Sequence, residues 1–319
     1  REAILDALLL APDALVTASS AGARCAGVAW LTALLTTCPA AAPLRTPARL
    51  ASAQAALLAA LSDDGASADA PRGLVAAYGL ADASTKAELL AGLTGALAGG
   101  APAARAVKVD GDTKLFEEGA LGAAPGGGGL STWREISSLA ADAGDAGLTY
   151  RFMALVSASR DARASAGAAV GLASLVDAVG GDRGALVKRL LPRAFRGAHG
   201  DPSPAVRDAM GSILAALAGG SDERELLASD PSLAPAVLDA LIDDATSRTW
   251  RAREGGARAA ASLLSLGPAS VREGPALARM LAVALRCVDD VKPSVRDAGG
   301  VLLRAVRGAA LRACEPPPG

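Results

Sequence analysis

The sequence predicts an all-α solenoid of about six to seven stacked antiparallel helix pairs, and three observations predict it. No segment of the 319 residues shows the two-residue alternation of a strand. An arginine followed by an acid recurs at Arg207–Asp208, Arg253–Glu254 and Arg296–Asp297, at spacings of 46 and 43 residues. Between these copies lie amphipathic stretches of about three turns, "ALVKRLLPRAF" (185–195), "APAVLDALIDDA" (234–245) and "ALARMLAVALRCV" (276–288). Two helices per ~45 residues is the period of a HEAT or armadillo-like unit. One such pair cannot bury its apolar faces alone, so the units must stack.

Taken in order, residues 1–98 read as HEAT-like repeats. A first copy sits in "AGARCAGVAWLTALL" around Arg24, with a stripe of Ala23, Gly27, Trp30, Leu31 and Leu34. Arg72 in "APRGLVAAYGL" anchors another copy 48 residues later, and the next helix, 80–98, turns Lys86 and Glu88 outward. Residues 99–132 lose this periodicity and read as an inserted Gly/Pro-rich loop. Ser131 or Thr132 then caps a new helix, with Glu135 three residues after Thr132.

Repeats resume over 133–314, ahead of a Pro-rich end at 315–319. Arg163 in "DARASAGAAVGLASLV" lies 44 residues before Arg207. In "DPSPAVRDAMGSILAAL", Ser203 is a candidate N-cap and Pro204 a first helical residue, where a missing N–H costs nothing. The stripe Val206, Met210, Ile213, Leu214 and Leu217 returns as Ala252, Gly256, Ala259, Ala260 and Leu263. It returns once more as Val295, Gly299, Leu302, Leu303 and Val306. Glycine at the second place predicts close approach of a neighbouring helix. The recurring Arg163, Arg207–Asp208, Arg253–Glu254 and Arg296–Asp297 are expected to link neighbouring repeats as a ladder of hydrogen-bonded ion pairs.

Composition limits the function classes. Thirty-two basic against 33 acidic residues leave a net charge of −1, which argues against binding nucleic acid by bulk electrostatics. Three Trp, two Tyr and three Phe are too few for single-strand stacking platforms. No apolar stretch reaches the ~18 residues that cross a bilayer, so direct membrane insertion is not expected. Cys25, Cys38, Cys287 and Cys314 show no Cys-x-x-Cys spacing and read as thiols of a reducing compartment rather than zinc ligands. The chain begins at Arg1 and ends "CEPPPG", which reads as an internal piece of a longer protein.

Catalytic and cofactor sites are not expected. "LGAAPGGGGLSTW" places Gly122 and Gly127 at phosphate-loop separation, but Gly128 stands where lysine is needed. No lysine lies between Lys114 and Lys188, and no strand pattern precedes the run. His199 is the single histidine and reads as an exposed turn residue beside Asp201. The acid pairs Asp63–Asp64, Asp243–Asp244 and Asp289–Asp290 read as solvated caps at helix ends. Trp133 and Trp250, near helix starts, are expected to pack at repeat junctions.

Several blocks together carry a family resemblance: "DTKLFEEGALGAAPGGGGLSTWREISSLA", "LTYRFMALVSASRDARASAGAAVGL", "LLPRAFRGAHGDPSPAVRDAMGSILAAL" and "TWRAREGGARAAASLL". With "APRGLVAAYGL" upstream and "VDDVKPSVRDAGGVLL" downstream, the chain resembles the proteasome adaptor and scaffold protein family. These are very large HEAT-repeat proteins associated with the 26S proteasome. The inserted block with "LST", an aromatic, a basic residue and Glu is its most specific part. Ala194, Gly197 and Ala198 depart from the more aromatic and basic family pattern.

The resemblance implies a non-catalytic scaffold without cofactors, partnered by proteasome core and regulatory particle subunits and open to other adaptors, in cytoplasm and nucleus. It makes the insertion a candidate docking loop, with Asp112, Thr113, Phe116, Leu130, Ser131, Thr132 and Trp133 as its markers. A HEAT-type transport receptor or assembly cofactor is the alternative, distinguished by lacking that block. A nucleotide enzyme using the glycine run is the third, distinguished by saturable ATP binding with magnesium.

Overall fold

The computed structural model describes residues 20–39, 44, 46–61, 69–97, 166–176, 178–179 and 183–314. Among the described residues there is no strand, and the chain is an all-α stack. Four helices come first: α1 (Ala21–Thr37), α2 (Pro47–Ala60), α3 (Ala70–Leu80) and α4 (Ala83–Leu97). α3 packs against both α1 and α2. Its start is pinned where the Thr32 hydroxyl donates to the Asp69 carbonyl at 3.2 Å. Helix α5, residues 166–176, returns to this group, with Gly167 against the Leu61 backbone and Gly171 against Leu61, Leu74 and Leu93.

The second stretch is three helical hairpins: α6 (Arg183–Gly200) with α7 (Pro204–Ala218), α9 (Leu233–Ala245) with α10 (Trp250–Leu266), and α12 (Gly274–Val288) with α13 (Pro293–Cys314). Short helices α8 (Glu223–Ala228) and α11 (Ala269–Arg272) lie in the links between hairpins. Asp222 caps α8 by accepting the Glu225 N–H at 2.8 Å. Arg183 caps the other end of α7, donating to the Ala216 and Leu217 carbonyls at 3.0 and 3.1 Å. α10 packs on α13 on one side and on α6 on the other, where Gly200 and Gly255 let the two backbones cross.

The core follows the sequence stripe. Val206, Met210, Ile213, Leu214 and Leu217 are all buried, as are Gly256, Ala259, Ala260 and Leu263, and Val295, Gly299, Leu302 and Val306. Each leucine so buried contributes about 1.5–3 kcal/mol relative to exposure. The small residue at the second place has a steric reason. A Cβ on Gly256 would lie 2.6 Å from the Ala245 nitrogen, and one on Gly299 would lie 2.7 Å from the Val288 nitrogen. In the copy with Met210 instead, the facing helix supplies the space: a Cβ on Gly197 would lie 2.5 Å from Met210 Cγ. Each hairpin therefore has one glycine at its crossing, on either helix.

Three expectations need correction. Trp30 does not join the first stripe but is 40% exposed, because Val28, Leu31, Leu34 and Leu35 form the buried face of α1. Ser203 occupies the N-cap of α7, ahead of Pro204, but its hydroxyl makes no capping bond. The helix expected at 185–195 runs on through Pro192 to Gly200 and so contains His199.

Candidate functional site

One geometry repeats at the turn that opens the second helix of each hairpin. Arg207 Nη1 donates to the Asp201 and Pro202 carbonyls at 2.8 and 3.0 Å. Arg253 Nη1 donates to the Ser247 and Arg248 carbonyls at 3.0 and 2.9 Å. Arg296 Nη1 donates to the Asp290 and Val291 carbonyls at 2.9 and 3.0 Å. A polar side chain six residues before each arginine also closes its own turn. Asp201 accepts the Ser203 N–H at 2.9 Å, Ser247 the Thr249 N–H at 3.3 Å and Asp290 the Lys292 N–H at 2.9 Å. Backbone carbonyls at a helix entrance that would otherwise face water are thus held by a guanidinium fork.

Only one of the three clamps also spans two repeats. Arg253 donates from Nε to Asp290 Oδ2 at 2.6 Å and from Nη2 to Oδ1 at 3.1 Å. Their side chains are 15% and 10% exposed. The Arg253 hydrogen bonds, with the Lys292 N–H, hold the Asp290 carboxyl below its ordinary value, and Asp290 raises the guanidinium in turn. Ser247, at the place of Asp290 in the preceding turn, offers Arg207 no carboxylate.

The expected acid partners are not the observed ones. Asp208 and Asp297 are exposed, and Glu254 pairs with Arg258 at 3.0 Å within its own helix. A residue one place on along a helix points about 100° away, so it cannot follow its arginine into the turn. The acid six residues before the arginine in "DPSPAVR" and "DVKPSVR" closes its own turn, and only Asp290 also meets an arginine side chain, Arg253 of the preceding repeat. Arg163 lies outside the described residues, as do Asp112, Thr113, Phe116, Leu130, Ser131, Thr132, Trp133 and the pair Asp63–Asp64.

His199 is half-buried on α6, its Nε2 2.8 Å from Glu223 and its ring centroid 4.4 Å from that of Phe195. It is neither exposed nor in a turn. Asp244 is not a solvated cap either: burial raises its carboxyl, while Arg196 at 3.3 Å and Arg193 oppose this. Trp250 sits at the junction yet is 36% exposed, with Arg251 4.9 Å and Lys292 6.0 Å from its ring. Burial raises the Cys287 thiol, while Cys25 and Cys38 are half-buried. Among the described residues no three His, Cys, Asp or Glu side chains gather as metal ligands, and no helix is long and apolar enough to cross a membrane.

What the edge offers is a row of held turns, each presenting exposed residues (Pro202, Arg248, Trp250, Arg251, Val291 and Lys292) on a fixed backbone. Such a surface suits protein contact.

No family model matches the chain. It is 32% identical over 272 residues to the human protein named proteasome adapter and scaffold protein ECM29, covering 83% of this chain and 14% of that one. It is 31% identical over 244 residues to the Drosophila melanogaster proteasome-associated protein ECM29 homolog, covering 75% and 12%. It is 29% identical over 242 residues to the Saccharomyces cerevisiae proteasome component ECM29, covering 72% and 12%. The chain thus spans less than a sixth of the length of these relatives. Two engineered proteins of solved structure align with it at TM-scores of 0.33 and 0.31 and 14% identity.

Proposed function

The chain belongs to the ECM29 family, and we propose that it acts as a non-catalytic stretch of scaffold that binds the 26S proteasome. The observation carrying this is the 32% identity over 83% of the chain to a protein named for that role. The fold supports it: stacked hairpins with clamped turns present a long, fixed surface, which suits protein partners. We extend the proposal to linking the core and regulatory particles and to proteasome assembly, stability or recruitment, in cytoplasm and nucleus.

The test is co-purification. The full-length protein, tagged and isolated gently, is run on a native gel with a peptidase overlay. Peptidase activity migrating with it is the expected result, and its absence would remove the reading. The insertion at 99–132 is proposed as a docking loop because its "LST" block is the most specific part of the family resemblance. If deleting residues 101–130 leaves every co-purifying partner in place, the loop has no such role.

A further inference from the structure

Trp250 breaks the pattern of the turns around it. Aligned on Arg207, Arg253 and Arg296, its place is held by Pro204 and Pro293 in the neighbouring hairpins, and proline suits a first helical residue. Thr249 before it is extended, with φ −84° and ψ 124°, close to the −79° and 121° of Ser203 before Pro204. The backbone would accept proline here as well, so the turn does not require an indole. Nor does the core, since Trp250 is 36% exposed.

Cations gather round this ring. Arg251 lies 4.9 Å from its centroid, and Lys292, from the next turn along the edge, 6.0 Å. Arg248 is exposed in the same turn as Trp250. The places of Arg248 and Arg251 hold Pro202 and Ala205 in the turn before, and Val291 and Ser294 in the turn after. Among the described residues no carboxylate pairs with Arg248, Arg251 or Lys292. The acids near them in sequence are engaged elsewhere or stand alone: Asp290 is held by Arg253, Glu254 by Arg258, and Asp289 is exposed. Like charges held against one ring repel, and a cation–π contact at an exposed site offsets only about 0.5–1 kcal/mol. An anion laid across the three would remove that repulsion. Stacking on the ring also orders Arg251 and Lys292 in advance, so less freedom is lost on binding. Apolar surface lies among the cations, with Val291 89% exposed and Pro293 exposed beside it. A peptide, in which acidic and apolar side chains can alternate, matches this mixture better than a phosphate backbone does.

We propose that Trp250, Arg251 and Lys292, with Arg248 and Val291 beside them, form a docking patch for an extended acidic segment of another protein. This rests on the reading of the chain as a protein-binding scaffold. Charge complementarity names the occupant, and the Arg253 and Arg296 clamps hold both turns ready for it. α10 and α13 pack side by side, and packed helices lie about 10 Å apart, so acids about three residues apart in an extended segment would reach both turns.

The test places a photo-crosslinking side chain at position 291 of the full-length protein, which is isolated gently with its partners and read by mass spectrometry. The expected result is a link to a net-negative segment of another protein. Trp250→Pro, the residue that the neighbouring turns carry, should lower the yield at least about tenfold and leave the melting curve unchanged. Arg251→Glu combined with Lys292→Glu should do the same. No link outside the chain would overturn the proposal. So would a link to a neutral or basic segment, to nucleic acid, to lipid or to a second copy, or an undiminished yield from either variant. A peptidase overlay of the same eluate separates this from the proteasome reading. Activity without the link removes the patch and leaves that reading, and the link without activity does the reverse.

Discussion

Arg253 and Asp290 are joined by two hydrogen bonds, Nε to Oδ2 at 2.6 Å and Nη2 to Oδ1 at 3.1 Å, while the same guanidinium holds two carbonyls of its own turn. One side chain therefore fixes both the entrance of α10 and the distance to the next hairpin. Arg253→Ala should destabilise the chain by about 1.5–3 kcal/mol, because it strands a mostly buried carboxylate. Arg207→Ala and Arg296→Ala, which release only carbonyls, should cost about 1 kcal/mol each. Urea midpoints tracked by circular dichroism would rank them. A double-mutant cycle with Asp290→Asn should return a coupling of about 1–2 kcal/mol for Arg253 and none for Arg207.

Acid should act on two aspartates in opposite senses. Asp290 is held below its ordinary value of 3.8, mainly by the Arg253 hydrogen bonds. A depressed folded value means its stabilisation is whole above 3.8 and is lost as pH falls below it. Asp244 is raised above 3.8 by burial, so falling pH through that raised value relieves a cost. Thermal midpoints between about pH 3 and 6 should therefore drop at the acid end, and Arg253→Gln should flatten that drop. Asp244→Asn should remove a smaller change at higher pH, of opposite sign.

The glycines at the hairpin crossings should be intolerant. Gly256→Ala and Gly299→Ala put a methyl against backbone atoms at 2.6–2.8 Å, and backbone cannot rotate away. Each should cost about 1–3 kcal/mol. Gly211→Ala in α7, with nothing within 4 Å, should instead stabilise by about 0.5–1 kcal/mol through helix propensity. Paired melting curves of the three variants would check the contrast.

At Gly197 the obstacle is a flexible side chain, since its Cβ would meet Met210 Cγ at 2.5 Å and Sδ at 3.1 Å. Gly197→Ala should therefore cost less than Gly256→Ala, and Met210→Ala should largely rescue it. A double-mutant cycle in thermal melts measures the rescue, and additive losses would mean the two residues do not share the space.

The solenoid was legible because its signal is periodic. Apolar places such as Val206, Ile213 and Leu217 recur in register, and period survives a composition rich in alanine and glycine. Arg207, Arg253 and Arg296 stand out for the same reason. Their acceptors do not, because carbonyls carry no side-chain signature, and because the eye pairs an arginine with the acid beside it. Asp290 differs from Asp289 only in where the turn aims it. His199 reads as a turn residue because "GAHGDPSP" is rich in Gly, Pro and Asp, yet the helix runs on to Gly200 before the turn begins. Trp30 reads as core because it is large and apolar beside the buried Leu31. One place along a helix is about 100° round it, however, which puts Trp30 at the edge of the face that buries Gly27, Leu31 and Leu34.

The clamps also set an order of events as the chain is made. Each arginine closes on carbonyls only five and six residues behind it, so a turn can lock once about one helical turn of its second helix exists. The Arg253–Asp290 pair, separated by 37 residues, must wait for the whole of α12. A nascent chain would therefore accumulate finished corners first and gain its spacing afterwards. A ribosome pausing before residue 290 would hold α10 correctly started but not yet joined to the next hairpin.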